Sequence, residues 1–389
     1  MIIKSILDTD LYKITQGQMA FSQFPEAIVQ YEFKNRGKTT VFHKSMVDKL
    51  KSEIFEMSNL KMTFREYEYL KGFRFLKPTF LEWFKNYKFN PLEVNVNFIP
   101  SEDPEFGNII LTITGPWFRT VYWEVPLMAL ISELHFQDQT KEDGWELKID
   151  KKAIKMDSNN VSWIDFGTRR RASFEVQDEV VSRMKKYSHF RGTSNVFLAM
   201  YHNVKAQGTV AHETYQIMQA KYGLTMANQM ATEHWVKEYG GDLGIMLPDT
   251  LTTDVFMKNM TRLDAKLWDG ARQDSGNLIE AAQKYIDKLV SFDIDPKTKV
   301  LVPSDSLTDD AAIAFSKYFE GKVKGITAGI GTFLSNDCGL KPLNMVIKMT
   351  GADFGFGMVD VIKLSDVPGK YTGSPQRIAE AKQVLRIFD

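Results

Sequence analysis

Cysteine is almost absent: of 389 residues only Cys338 carries a thiol. No intrachain disulfide can form, so a disulfide-stapled secreted scaffold is excluded, and so is a CxxC metal site. An excess of charge of one sign is missing too. The 49 basic residues are balanced by 49 acidic ones, which argues against a broad grip on nucleic acid or anionic membrane while leaving room for a local basic pocket. Long hydrophobic runs are also lacking. The most apolar stretch, residues 121–131, contains Glu124 and falls far short of the ~20 residues that a membrane span needs. Near the N-terminus the apolar run is broken by Asp8 and Asp10, too short and too acidic for a signal peptide. No repeat, low-complexity tract or Pro/Ser-rich linker interrupts the chain. What is present is 43% hydrophobic and 12% aromatic residues, enough to fill more than one core. The expectation is a cytoplasmic globular protein of two to three domains.

The first 150 residues read as an α+β domain. Residues 27–33, 94–99 and 109–113 alternate as strands do. Thr63-Phe64-Arg65-Glu66 and Thr79-Phe80-Leu81-Glu82 both fit the capping box that opens a helix, and a further helix is expected over 116–134. Residues 137–160 are polar and mark a boundary. Beyond it, short apolar runs ending in Gly, Thr, Asp or Ser (161–168, 243–250, 267–269, 300–306 and 323–332) alternate with helical stretches over 173–186, 212–221, 277–289 and 309–318. This alternation is the grammar of parallel α/β structure. Polar or Gly-rich chemistry at nearly every strand end fits a barrel whose site is built from all its strand-to-helix loops. The stretch is short for a regular eightfold barrel, so residues 151–343 are expected to form an irregular (β/α) barrel carrying the active site. Residues 344–389, with a strand-like run at 345–349 and a final helix, are expected to pack back on the N-terminal domain.

Four loops concentrate polar chemistry. Gly329-Ile330-Gly331-Thr332 follows the last barrel run and can cradle a phosphate with exposed N–H groups, or serve as an ordinary tight turn. Arg272-Gln273-Asp274-Ser275-Gly276 suits a sugar phosphate, through a guanidinium for phosphate and a carboxylate for hydroxyls, or is a helix cap with a solvated arginine. Phe166 precedes Arg169, Arg170 and Arg171, of which one or two could bind anions. Phe166 itself is either core or a stacking face for a flat ring. His212, followed by Glu213, has the most suggestive setting of the six histidines, yet a structural role stays open. The HExxH zinc pattern fails because Gln216 stands where the second histidine is needed. Two look-alikes are dismissed. Gly37-Lys38-Thr39 lacks the leading glycine of a P-loop, with Glu32 in its place. Gly329-Ile330-Gly331 lacks the third glycine of a dinucleotide fingerprint, with Leu334 there instead.

Taken in order, Asp8-Thr9-Asp10-Leu11-Tyr12-Lys13, Asp165-Phe166-Gly167-Thr168-Arg169-Arg170, Gly192-Thr193-Ser194-Asn195 and Gly208-Thr209-Val210-Ala211-His212-Glu213 form a series. It continues through residues 249–254, 270–276, 304–307 and 329–337 to Lys363-Leu364-Ser365-Asp366. This series resembles the nicotinate phosphoribosyltransferase family over nearly the whole chain. The resemblance implies a type II phosphoribosyltransferase fold and the joining of nicotinate to phosphoribosyl pyrophosphate, with ATP hydrolysed through a transient phosphohistidine at His212 and magnesium as cofactor. It implies catalytic roles for His212, Glu213 and Asp274. Tyr12 and Phe166 would sandwich the pyridine ring, with Tyr12 from either the same or a second subunit of a monomer or homodimer. Arg169 and Arg272 would meet phosphate or the nicotinate carboxylate. Thr193, Asp249, Ser275 and Asp305 would contact substrate, and Gly329, Gly331 and Thr332 would hold the 5′-phosphate; no metal ligands are assigned.

Ser194 bears on acid against amide substrates. The related nicotinamide enzymes carry an acidic residue at this position. Facing nicotinate, such an acid would set like charges together at a cost of about 4 kcal/mol, roughly a thousandfold in binding. A serine therefore favours the acid. The rival readings are a nicotinamide-preferring relative, a sugar-phosphate barrel lyase or isomerase, and a non-catalytic metabolite-binding protein of the same fold.

Overall fold

The computed structural model describes residues 1–37 and 40–387; Lys38 and Thr39 of the dismissed P-loop look-alike lie outside the described residues. In chain order the strands are β1 (Ile28–Asn35), β2 (Phe42–His43), β3 (Val94–Pro100), β4 (Phe106–Pro116), β5 (Ser162–Asp165) and β6 (Phe190–Thr193). They continue with β7 (Ile245–Met246), β8 (Gly270–Gln273), β9 (Val300–Pro303), β10 (Gly325–Ile330), β11 (Met345–Asp353) and β12 (Val359–Asp360). They make two sheets. An antiparallel sheet runs β12-β11-β1-β4-β2, with β3 on β4, and a parallel one runs β6-β5-β10-β9-β8-β7. The outer strands β6 and β7 do not pair with each other, so the barrel is open on one side.

The two sheets follow different burial rules. Along β1, Val29, Tyr31 and Phe33 point inward while their neighbours face out or lie half-buried, the period of two that a one-sided sheet imposes. In β5 the consecutive Trp163, Ile164 and Asp165 are all buried, as expected of a parallel strand covered on both faces. The late strand β11 pairs antiparallel with β1, with Tyr31 opposite Met349, because Met345, Ile347 and Met349 continue the same inward stripe.

Several sequence expectations shift. The capping box at Thr63 and Glu66 is present, but the helix near Thr79 starts at Pro78 with Lys77 as its cap: proline preset at the first turn wins over the threonine. The helix expected over 116–134 is broken into Trp117–Thr120 and Glu124–Phe136. The polar stretch read as a boundary contains the helix Trp145–Ser158, whose buried Ile149, Ala153 and Met156 recur at helical spacing among the charges. The run 267–269 is not a strand; β8 starts at Gly270, which places Arg272 inside the strand rather than after it.

Two connections bring remote segments to the barrel mouth. Residues 7–11 lie against the end of β6, where Leu11 N donates to Ser194 O (2.8 Å), Val196 N to Thr9 O (2.9 Å) and Phe197 N to Leu7 O (2.8 Å). The helix His212–Tyr222 is tied to the C-terminal segment by Gln216 Nε2, which donates to Met349 O, and Gln219 Nε2, which donates to Ile362 O, both at 2.9 Å. Gln216, the residue that broke the zinc pattern, is thus a sheet anchor.

Candidate active site

A cavity of about 720 Å³ opens at the carboxyl ends of the parallel strands, within the range of small-molecule sites. Phe166, Arg169 and Arg170 reach it after β5, Arg272 and Asp274 from β8 and its end, Ser304 and Asp305 after β9, and Gly331 and Thr332 after β10. The edge of β11 adds Lys348, and the helix Leu11–Gln23 adds Tyr12 of the same chain. Two aromatic rings of the cavity each lie beside an arginine. The Arg272 guanidinium lies 5.4 Å from the Phe166 ring centroid, and that of Arg169 lies 6.0 Å from the Tyr12 ring.

His212, at the first position of its helix, is the centre of a polar cluster. Its Nδ1 is 3.0 Å from Thr250 Oγ1 and 3.7 Å from Asp249 Oδ1. Its Nε2 is 3.0 Å from Asp274 Oδ2 and 2.8 Å from Lys363 Nζ. Burial, reinforced by the Lys363 ammonium, depresses the His212 pKa to about 4, so the ring is neutral near pH 7. Asp274 Oδ1 accepts from Arg272 Nη2 and Ser304 Oγ, each at 2.7 Å. Burial disfavours its charge, but Arg272, the neighbouring His212 and Lys363 prevail and hold the carboxyl well below the usual range. Asp249 Oδ2 accepts from Ser275 Oγ (2.7 Å) and pairs with Lys363 Nζ (2.9 Å). Against burial, Lys363 and His212 keep its pKa low as well.

Of the sequence-predicted residues, Tyr12, Phe166, Arg169, His212, Glu213, Arg272, Asp274, Ser275, Asp305, Gly331 and Thr332 border the cavity. Four do not. Thr193 is buried, and its hydroxyl donates to Asp165 Oδ2 (2.7 Å). Ser194 donates to Asp10 Oδ1 (2.7 Å). Asp249 sits behind His212. Gly329 lies within β10, where an added Cβ would come 2.4 Å from the Phe166 ring; its smallness makes room for that ring rather than for a phosphate. Glu213 also needs correction. Its two oxygens are taken by Lys13 Nζ and by the Tyr31 hydroxyl, both at 2.6 Å, which turns it away from His212 and makes it an anchor. Burial raises its pKa.

Two lysines join the site without a local sequence signal. Lys363 opens the last motif of the series, but its contact with His212 spans 151 positions. Lys348 has no helical or loop signature: it is a polar residue between Ile347 and Met349 on a strand. Burial lowers its pKa to about 8, and it lines the cavity as a cation close to losing its charge.

The nicotinate phosphoribosyltransferase (NAPRTase) family matches residues 161–387, and the N-terminal domain of that family matches residues 7–132. The chain belongs to the nicotinate phosphoribosyltransferase family. It is 39% identical over 99% of both chains to the nicotinate phosphoribosyltransferase of Chromohalobacter salexigens, and 38% identical to that of Methanosarcina mazei over 99% of this chain and 98% of the relative. The crystal structure of the Porphyromonas gingivalis nicotinate phosphoribosyltransferase superposes with a TM-score of 0.95 at 37% identity, covering 99% of this chain and 100% of that one. The Vibrio cholerae enzyme gives 0.92 at 31%, covering 100% of this chain and 95% of the other. The family match divides the site: Tyr12 falls in its N-terminal domain and every strand-end residue of the barrel in the second region. The barrel-like parallel sheet and the separate antiparallel sheet agree with the fold class expected from the sequence.

Proposed function

We propose that this protein joins nicotinate to phosphoribosyl pyrophosphate, coupled to ATP: nicotinate, phosphoribosyl pyrophosphate, ATP and water give nicotinate mononucleotide, pyrophosphate, ADP and phosphate, the entry of nicotinate into NAD salvage. The observation that carries the reading is the convergence, in one cavity, of two aromatic rings, each beside an arginine, with a neutral histidine among carboxylates and lysines. A flat anionic ring suits the first and a phosphorylated sugar the second.

In this reading the pyridine ring lies between Tyr12 and Phe166 with its carboxylate toward Arg169. Its nitrogen attacks C1 of the ribose as pyrophosphate leaves, so positive charge grows on the sugar. Asp274, held ionised by Arg272, stabilises that charge or holds ribose hydroxyls, and Asp305 serves the sugar from the next strand end. Gly331 and Thr332 donate to the 5′-phosphate, while Lys348, Arg170 and Lys363 supply charge for the leaving pyrophosphate. Phosphoryl transfer from ATP to His212 would need a neutral ring, which its depressed pKa supplies. Ser194 favours the acid substrate indirectly: an acidic side chain there would face Asp10 and add negative charge behind the nicotinate carboxylate.

Magnesium is part of the proposal as the partner of the diphosphate. The His212, Asp249 and Asp274 triangle, whose ligand atoms lie within 4.8 Å of one another, does not fit a resident ion, because Lys363 Nζ already sits 2.8 and 2.9 Å from two of its members. Magnesium also prefers oxygen and water to imidazole. The protein acts as a monomer or a homodimer; within the single chain Tyr12 and Phe166 both border the cavity. The setting is cytoplasmic, in keeping with a single buried thiol; no helix of the described residues is long and apolar enough to cross a membrane.

The test is mononucleotide formation from phosphoribosyl pyrophosphate and magnesium with nicotinate or nicotinamide, each with and without ATP. Product from nicotinate, raised by ATP and no longer raised in His212→Ala, is expected. Product only from nicotinamide, or an unchanged acid-to-amide preference in Ser194→Asp, overturns the acid-selective reading.

A further inference from the structure

Two groups compete for one nitrogen of His212. Lys363 Nζ, which can only donate when charged, lies 2.8 Å from Nε2, and Asp274 Oδ2, which can only accept when ionised, lies 3.0 Å from the same atom. A ring nitrogen is either a donor or an acceptor, so it serves one of them. If Nε2 carried a proton, its N–H would serve Asp274 but leave the closer ammonium, 2.8 Å away, facing a donor. On the other side of the ring, Asp249 Oδ1 is buried and has no hydrogen-bond donor, and it lies 3.7 Å from Nδ1 beside Thr250 Oγ1 at 3.0 Å. A proton on Nδ1 meets an acceptor and a buried carboxylate oxygen in need of one, whereas a bare Nδ1 would leave that oxygen facing a lone pair.

We propose that Lys363 is a positioning residue that fixes the tautomer of His212: its ammonium donates to Nε2 and so places the ring's single proton on Nδ1, toward Thr250 and Asp249. The Nε2 lone pair is then held by the ammonium until an incoming anion draws it away. This deepens the proposed function and, for its catalytic meaning, rests on it. The lysine is itself fixed in place. Leu364 N donates to Thr250 O (2.8 Å), Asp366 N donates to Ser275 Oγ (3.0 Å), and Lys363 and Thr372 pair through their backbones. The residues that carry the two acids and the residue that selects the tautomer are therefore one hydrogen-bonded unit. The charged groups facing His212 are Asp249 after β7, Asp274 with Arg272 at β8, and Lys363 after β12; Glu213 on its own helix is occupied by Lys13.

The experiment is two-bond ¹H–¹⁵N correlation on histidine-labelled protein, with the His212 signals assigned by His212→Gln. The wild type is expected to show a protonated Nδ1 and a bare Nε2 between pH 6 and 8. In Lys363→Met the midpoint of titration should rise by about one unit or more, about tenfold in proton affinity, with the proton moved to Nε2 toward Asp274; Lys363→Arg should restore the wild-type pattern. A wild-type His212 protonated on Nε2 overturns the inference even if Lys363→Met does not fold, and so does a Lys363→Met spectrum with tautomer and midpoint unchanged. The spectrum is read without turnover, so the inference can fail while the ATP-coupled reading stands, or stand while that reading fails.

Discussion

Lys13 Nζ lies 2.6 Å from Glu213 Oε1, and Lys13 is wholly shielded from solvent. The pair joins the residue after Tyr12 to the residue after His212, so two residues that border the cavity are tied through their sequence neighbours. Glu124 completes the cluster at 2.5 Å from the same ammonium. Glu213→Ala should cost about 1–3 kcal/mol of stability: Lys13 keeps Glu124, but the buried Tyr31 hydroxyl is left without its acceptor. The measurement is the urea midpoint together with kcat. A large fall in kcat with unchanged stability would restore a direct catalytic role to Glu213.

Arg171 is the buried member of the arginine triplet. It holds Asp8 through two bonds of 2.7 and 2.8 Å and Glu133 through one of 2.8 Å. Arg171→Met leaves two buried carboxylates without their cation and should destabilise by roughly 3–5 kcal/mol. Because Asp8 opens the segment laid on β6, limited proteolysis should show earlier cleavage near residues 7–11. Equal protease resistance in the variant would show that Arg171 does not secure this segment.

Gly329→Ala places a methyl 2.4 Å from the Phe166 ring. The backbone there cannot yield without disturbing β5 and β9 on either side, so the ring must move. The KM for nicotinate should rise about tenfold, equivalent to about 1.4 kcal/mol, with a smaller change in the KM for phosphoribosyl pyrophosphate. The reverse pattern would return Gly329 to phosphate binding.

His212 makes stability depend on pH. Its pKa falls from 6.5 to about 4 on folding, so between those values the unfolded chain binds more protons than the folded one. Stability should therefore rise with pH across this window and be lost on acidification from about pH 6.5 to 4, by up to roughly 3 kcal/mol. Comparing urea midpoints of wild type and His212→Gln between pH 4 and 7 isolates the contribution. Parallel profiles would mean that His212 is not held neutral by the fold.

The sequence by itself determined the local and the collinear features. Alternation marked β1, β3 and β4 because a one-sided sheet buries every second residue, and the Thr63 cap formed because both its partners lie within one turn. The order of the motifs carried the family, and most of the residues named for the site do border one cavity. Tertiary structure decided which way the side chains face. Glu213 follows His212 directly, yet the helix turns adjacent residues about 100° apart, and Lys13, 200 positions away, claims its carboxylate. Gly329 reads as a phosphate loop until Phe166 is seen against it. Lys348 and Lys363 became site residues only when β11 folded back on β1 and carried the following segment to the barrel mouth. Distances of this kind leave no period or spacing in the chain, because what fixes them is burial and charge pairing between segments that meet only in the folded protein.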